Sequence, residues 1–163
     1  MEKISVFEIF KIGIGPSSSH AMGPWNAAKD FLTDIKKDRG HLNGAVKMDV
    51  ELFGSLAKTG MGHGTDKAIM MGLMGFEIKT FETHQLIDNL NLIANEKKIN
   101  LLDEVKIPFD PLENIKFNFT DIELDHANTM TFILTFENGH SESATYFSLG
   151  GGFVQRKGVN PQS

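Results

Sequence analysis

The sequence predicts an α+β fold, a mixed or antiparallel sheet packed with helices, and three observations carry that prediction. Early in the chain Met22, Trp25, Ala28, Phe31, Leu32 and Ile35 recur at helical spacing on one stripe. Later the apolar residues alternate at strand spacing, through Ile115, Phe117 and Phe119 and again through Met130, Phe132, Leu134 and Phe136. The pair Asn138-Gly139 tolerates the positive φ of a type I′ turn and joins this last run to a returning strand over 141–149. Strands joined by a hairpin favour α+β over a doubly wound sheet, in which helices separate every strand.

Taken in order, Ser5-Val6-Phe7-Glu8 fits a capping box and predicts a short helical turn. The stretch Gly13-Ile14-Gly15-Pro16-Ser17-Ser18-Ser19-His20-Ala21-Met22-Gly23-Pro24 follows. Gly15-Pro16 punctuates a loop, because proline fixes its own φ and biases the preceding residue away from helix. The serines are good N-caps for the helix carried by the Trp25–Ile35 stripe, which Lys36, Lys37 and Arg39 favour electrostatically and Gly40 stops. Val46, Met48, Val50 and Leu52 alternate with Lys47, Asp49 and Glu51 as a half-buried strand that runs out at Phe53-Gly54-Ser55. A second glycine-rich region, Gly60-Met61-Gly62-His63-Gly64-Thr65-Asp66, precedes a helix over 67–74 that Thr65 or Asp66 can cap. Residues 76–80 read as a short strand. Leu86, Ile87, Leu90, Ile93 and Ala94 mark a helix closing at Glu96-Lys97-Lys98, and Pro108 and Pro111 bracket a loop. The strand over 141–149 runs into Gly150-Gly151-Gly152, and the polar tail over 156–163 reads as a linker or frayed end.

Composition narrows the class. The 163 residues fit one domain with a real core, and 40% hydrophobic with 23% charged residues is globular usage. A formal net charge of −5 without a basic run argues against nucleic acid as a partner. No apolar stretch approaches the roughly 18 residues of a membrane span, no secretory signal opens the chain, and the expected location is cytoplasmic. Zero cysteines exclude disulfides and any thiolate-held metal cluster within this chain.

The chemistry concentrates in loops. Backbone N–H groups, the hydroxyls of Ser17, Ser18 and Ser19 and the imidazole of His20 suit a small anion such as a carboxylate or phosphate. In Gly62-His63-Gly64-Thr65-Asp66 the flanking glycines let backbone approach a ligand and leave the His63 ring free of bulky neighbours. His126-Ala127-Asn128 either binds a polar ligand or closes an Asx-type turn. Ser148-Leu149-Gly150-Gly151-Gly152 either presents N–H groups to an anion or ends a strand. The six histidines lack zinc-ligand spacing, and His41, His84 and His140 read as surface residues. No serine-hydrolase elbow, P-loop or complete dinucleotide fingerprint is present.

The run Ser5-Val6-Phe7-Glu8-Ile9-Phe10-Lys11-Ile12-Gly13-Ile14-Gly15-Pro16-Ser17-Ser18-Ser19-His20 resembles the opening of the bacterial iron–sulfur L-serine dehydratases. The resemblance continues in order through Phe53-Gly54-Ser55-Leu56-Ala57, Gly62 to Ile69, His126-Ala127-Asn128-Thr129-Met130 and Tyr146 to Phe153. It implies a lyase of serine catabolism and gluconeogenesis that converts L-serine to pyruvate and ammonia with a [4Fe–4S] cluster. It also implies an N-terminal β domain, here 1–155, with 156–163 beginning a linker to a larger α domain that carries the cluster cysteines. The β domain of that family is similar to the allosteric substrate-binding domain of some phosphoglycerate dehydrogenases.

The resemblance further implies that the cluster iron polarises the serine hydroxyl while a base removes the Cα proton, and that the resulting enamine hydrolyses. His63, with Thr65 and Asp66 behind it, is the first candidate for an acid–base or substrate-orienting role. Ser17, Ser18, Ser19, His20 and Gly64 match substrate-facing loops, and His126, Asn128 and Ser148 are further contributors. One departure stands out: Ala21 replaces the threonine that usually follows the histidine of the serine run. The expected partners are L-serine, the cluster-bearing α part and a second copy in a homodimer, and the chain alone is expected to be inactive. The alternative is a regulatory domain that senses serine without catalytic residues. A stand-alone carboxylate- or phosphate-binding protein is a third reading.

Overall fold

The computed structural model describes residues 19–120 and 123–159. The capping box at Ser5, the loop up to Ser18 and the last four residues lie outside them. Helix α1 (Met22–Arg39) follows the predicted stripe, burying Trp25, Ala28, Phe31, Leu32 and Ile35. Gly40 ends it in the left-handed region at φ 86°, its N–H on the Lys36 carbonyl. Its start corrects the sequence reading, because Ala21, not a serine, stands at the N-cap and makes no side-chain capping bond.

Strand β1 (Ala45–Phe53) is the predicted half-buried strand. The glycine-rich stretch after it is not loop. It forms α2 (Gly54–His63), and α3 (Thr65–Leu73) follows after a single residue. That residue, Gly64, is left-handed at φ 70° and serves as C-cap of α2 and N-cap of α3, so neither Thr65 nor Asp66 caps. Glycine lowers helix propensity, but burial of Leu56 and Ala57 in the core outweighs that cost.

Residues 76–80 are not a strand either and end in a 3-10 turn, Ile78–Thr80. Helix α4 (Thr83–Glu96) is as predicted, opened by a capping box between Glu82 and Gln85. A hairpin of β2 (Lys98–Leu101) and β3 (Val105–Pro108) follows where the sequence reading placed none. Its turn holds Leu102 and Asp103 at φ 50° and 56°, left-handed positions that no glycine advertises. The chain then forms α5 (Pro111–Asn114), β4 (Ile115–Phe117), β5 (Asn128–Phe136), β6 (Ser141–Gly150) and β7 (Phe153–Arg156). Between β5 and β6 only Gly139, at φ 86°, is left-handed, so the expected type I′ geometry at Asn138-Gly139 is not adopted.

The five-stranded sheet has the order β4-β1-β5-β6-β7, with β1 and β4 parallel and every other pair antiparallel. It is the mixed sheet the sequence predicts. Met48, Val50, Leu52, Met130, Phe132, Leu134 and Tyr146 project from one face into the core. Helix α1 crosses that face over β5–β7, and α3 packs on α1. Phe31 stacks on Phe132 with centroids 5.4 Å apart. Where α1 meets α3, a Cβ on Gly72 would lie 2.2 Å from the Trp25 carbonyl oxygen, so only glycine permits the crossing. The Trp25 indole donates to the Phe76 carbonyl at 2.8 Å and meets Phe81 edge-on. The other sheet face is half-exposed and rich in hydroxyls, with Thr131 and Thr145 paired at 2.8 Å. Among the described residues no helix is long and apolar enough to cross a membrane.

One end of the sheet gathers the segments that carry chemistry. Strands β1 and β6 finish there, β5 and β7 begin there, and α1 starts beside Gly152.

Candidate functional site

The site is built around His20, a buried residue immediately before α1. Ser19 Oγ lies 2.9 Å from its Nδ1, and Ser55 Oγ lies 2.9 Å from its Nε2. A neutral imidazole has one donor and one acceptor nitrogen, so one serine donates to the ring while the other accepts from it. Thr65 Oγ1 donates to the His20 carbonyl. Three chain segments, the start of α1, the start of α2 and the start of α3, are thereby fastened to one residue.

The sequence reading missed Ser55, although the Phe53-Gly54-Ser55 segment was singled out. Its position depends on Gly54. At φ 57°, Gly54 brings the chain so close to β5 that a Cβ would sit 2.4 Å from the Ala127 carbonyl oxygen. The Ser55 N–H then bonds that same oxygen at 2.9 Å. Only a residue without a side chain lets the strand end turn directly into a helix here.

His63 is the last residue of α2, one position before the left-handed Gly64. Thr65 is fully buried and Asp66 follows in the first turn of α3. Burial holds the Asp66 carboxyl above its usual pKa range, opposed in part by backbone N–H groups of Lys67 and Asp66 itself.

Asn128 and Ser148 face each other across β5 and β6 on the inner side of the sheet, with Asn128 Nδ2 3.5 Å from the Ser148 carbonyl oxygen. Asn128 Oδ1 and the Ser148 hydroxyl are buried and have no hydrogen-bond partner among the described residues. A bridge between Gly54 and Asn128 ties this pair to the Ser55 turn. His126 Nδ1 accepts from the Asn128 N–H at 3.0 Å, which is the turn-closing bond of an Asx-like motif, and its ring lies over Phe147. Gly152 accepts from Asn26 Nδ2 at 2.8 Å. The described structure therefore brings Ser19, His20, Gly64, Thr65, Asp66, Asn128 and Ser148 to one end of the sheet. Ser17 and Ser18 lie outside the described residues.

This arrangement supplies hydroxyls, an imidazole and unpaired amide and hydroxyl oxygens, the groups that recognise a small polar ligand. It does not fit an iron–sulfur cluster as ligand set, because the chain has no cysteine. Among the described residues no group of three or more His, Asp or Glu could hold a metal ion either.

The class defined by fold and site is thus a mixed α+β domain with a polar-ligand cluster at one sheet end. The chain belongs to the serine dehydratase beta chain family, whose model matches residues 5–159. It is 41% identical over 152 residues to an L-serine dehydratase of Mycobacterium tuberculosis, covering 93% of this chain and 32% of that protein. An L-serine dehydratase of Streptomyces coelicolor is 39% identical over 152 residues, covering 93% of this chain and 33% of its own length. L-serine dehydratase 2 of Escherichia coli is 40% identical over 154 residues, with the same two coverages of 93% and 33%. The chain therefore spans about a third of the length of the curated relatives it matches.

Proposed function

We propose that this chain is the β part of an L-serine dehydratase and supplies one wall of a composite active site. One observation carries the reading. Segments far apart in sequence, at residues 19–20, 53–55, 64–66, 128 and 148–152, converge on one end of the sheet, and they are the segments through which the family resemblance runs. The relatives' additional two-thirds of chain, as a fused domain or separate subunit, would face this end and complete the site. In this reading residues 156–163 lead toward that part.

The reaction eliminates water from L-serine to give an enamine, which tautomerises to an imine and takes up water again to release ammonia and leave pyruvate. A [4Fe–4S] cluster held by the other part would supply Lewis acidity toward the hydroxyl leaving group. His63 acts here as the acid–base group for the Cα proton, the role most often taken by an imidazole in proton transfer near neutrality. Ser17, Ser18, Ser19, His20 and Gly64 bind and orient the carboxylate and ammonium, with Asn128 and Ser148 offering further polar contacts and His126 shaping the turn that presents Asn128. Thr65 acts as a positioning residue through the His20 carbonyl, and Asp66 follows it in the first turn of α3.

The test is turnover by the chain assembled with its cluster-bearing part. His63→Ala lowers kcat by about 10²- to 10⁴-fold with little change in KM, the ordinary worth of a general base. A change in serine cooperativity with kcat preserved would instead select the regulatory, serine-sensing role. Turnover by the chain alone in iron-free form would overturn the division of labour.

A further inference from the structure

We propose that a cavity between α4 and the β2–β3 hairpin binds the primary ammonium group of a small amine. The cavity measures about 390 Å³, at the small end for ligand sites, and shares no residue with the cluster at the sheet end. Asn89, Asn100, Asp103 and Lys106 supply its polar groups, and Met74, Phe76 and Leu92 its apolar wall.

The hydrogen bonds already made decide what these polar groups have left to offer. Asn89 Nδ2 donates to the Gln85 carbonyl at 2.7 Å, and Asn100 Nδ2 donates to Asp103 Oδ1 at 3.1 Å. Both partners are acceptors, so the amide atom facing each is the nitrogen, and the amide oxygen is left over. Asp103 forms no ion pair among the described residues, and its second carboxylate oxygen takes no bond from them. Lys106, the cation of the lining, is already held by Glu96, Nζ to Oε2 at 3.3 Å. The cavity is left with three acceptor oxygens, one each from Asn89, Asn100 and Asp103, and with the negative charge of Asp103. A primary ammonium is the counterpart: three N–H donors, no acceptor and one positive charge. Its carbon chain has Met74, Phe76 and the half-exposed Leu92 to cover.

A strained turn holds the carboxylate in place. Leu102 and Asp103 are both left-handed, at φ 50° and 56°, a conformation that aspartate tolerates and leucine resists. Leu102 keeps it because its side chain packs on the core and its N–H bonds the Leu73 carbonyl at 2.9 Å. Asn100 and Lys106 stand opposite each other across β2 and β3, on the face away from the buried Ile99, Leu101 and Ile107. The hairpin therefore fixes Asn100 and Asp103 relative to each other before any ligand arrives, and strain kept in the wall of a cavity is a mark of a binding site. The inference does not rest on the composite-site reading.

The experiment is an NMR titration of the full chain at neutral pH with propylamine. L-alanine serves as an amine that also carries a carboxylate, and tetramethylammonium as a cation without N–H donors. Propylamine is expected to give saturable shifts at Asn89, Asn100 and Asp103, side-chain amides included, and tetramethylammonium none. Shifts with both propylamine and L-alanine assign the site to amines and amino acids alike; shifts with propylamine alone assign it to amines without a carboxylate. Asp103→Asn keeps a residue suited to the left-handed turn and weakens propylamine binding about tenfold, as the loss of one charge-assisted hydrogen bond does. Lys106→Met does not weaken it, because Lys106 is no part of the ammonium's shell. Absence of saturable binding, a response to L-alanine alone, equal binding of tetramethylammonium, full affinity in Asp103→Asn or weakened affinity in Lys106→Met would overturn the proposal. The readout lies at residues the catalytic reading does not use, so failure here leaves the turnover test of His63 intact, and failure there leaves this one intact.

Discussion

Tyr146 is the chain's single tyrosine, and burial pushes its phenol up to about 12 while the neighbouring Arg156 partly opposes the shift. A raised folded pKa means the native state favours the neutral phenol. Stability from this group is therefore full below the unfolded value of about 10 and falls as pH rises from there toward about 12. Tyrosinate absorbance reports it without interference. Between these limits the denatured chain ionises and the native chain does not; a native midpoint near 10 would refute the burial argument. Asp66 works in the same sense at the acid end, since its raised pKa makes its charge a cost once pH climbs through the carboxylate range. At this scale the sequence was legible for residue types and poor for partners. His20 stands out beside its serines, but nothing in the chain near residue 20 announces that Ser55 completes its ring bonds.

Elements were legible where their period was clean and unreadable where left-handed backbone lacked its usual glycine. Helices α1 and α4 and strands β1 and β5 follow from repeat alone. The β2–β3 hairpin was hidden because Leu102 and Asp103 take the left-handed turn positions, and α2 because glycines at 54, 60 and 62 imitate a loop. Strand β7 is short and follows three glycines, a stretch that reads as the end of β6. Glycine also sets the closest helix contact. Gly72→Ala places a methyl against the Trp25 carbonyl and costs roughly 1–3 kcal/mol, as overpacking does. A urea midpoint that falls with an unchanged m-value confirms this; an unmoved midpoint shows that α1 and α3 can separate freely.

The described residues share one core that joins the inner sheet face, α1, α3 and the β2–β3 hairpin. Trp25, the single tryptophan, sits inside it against Phe81. Its fluorescence and the far-UV circular dichroism are expected to change together on thermal unfolding of this chain. Separate transitions would mean that the hairpin and α4 form a unit of their own. The antiparallel order brings the end of β1, the start of β5, the end of β6 and the start of β7 to the same edge, which is why the functional segments share one end.

Gly64 carries a constraint of a different kind. One peptide closes α2 and opens α3, and the next residue holds the His20 carbonyl through its hydroxyl. There is no slack between these three attachments. Adding or removing one residue would swing α3 by about 100° about its axis and release His20. Over evolutionary time this joint is free to change its spelling sooner than its length, so gaps and insertions belong elsewhere in the chain.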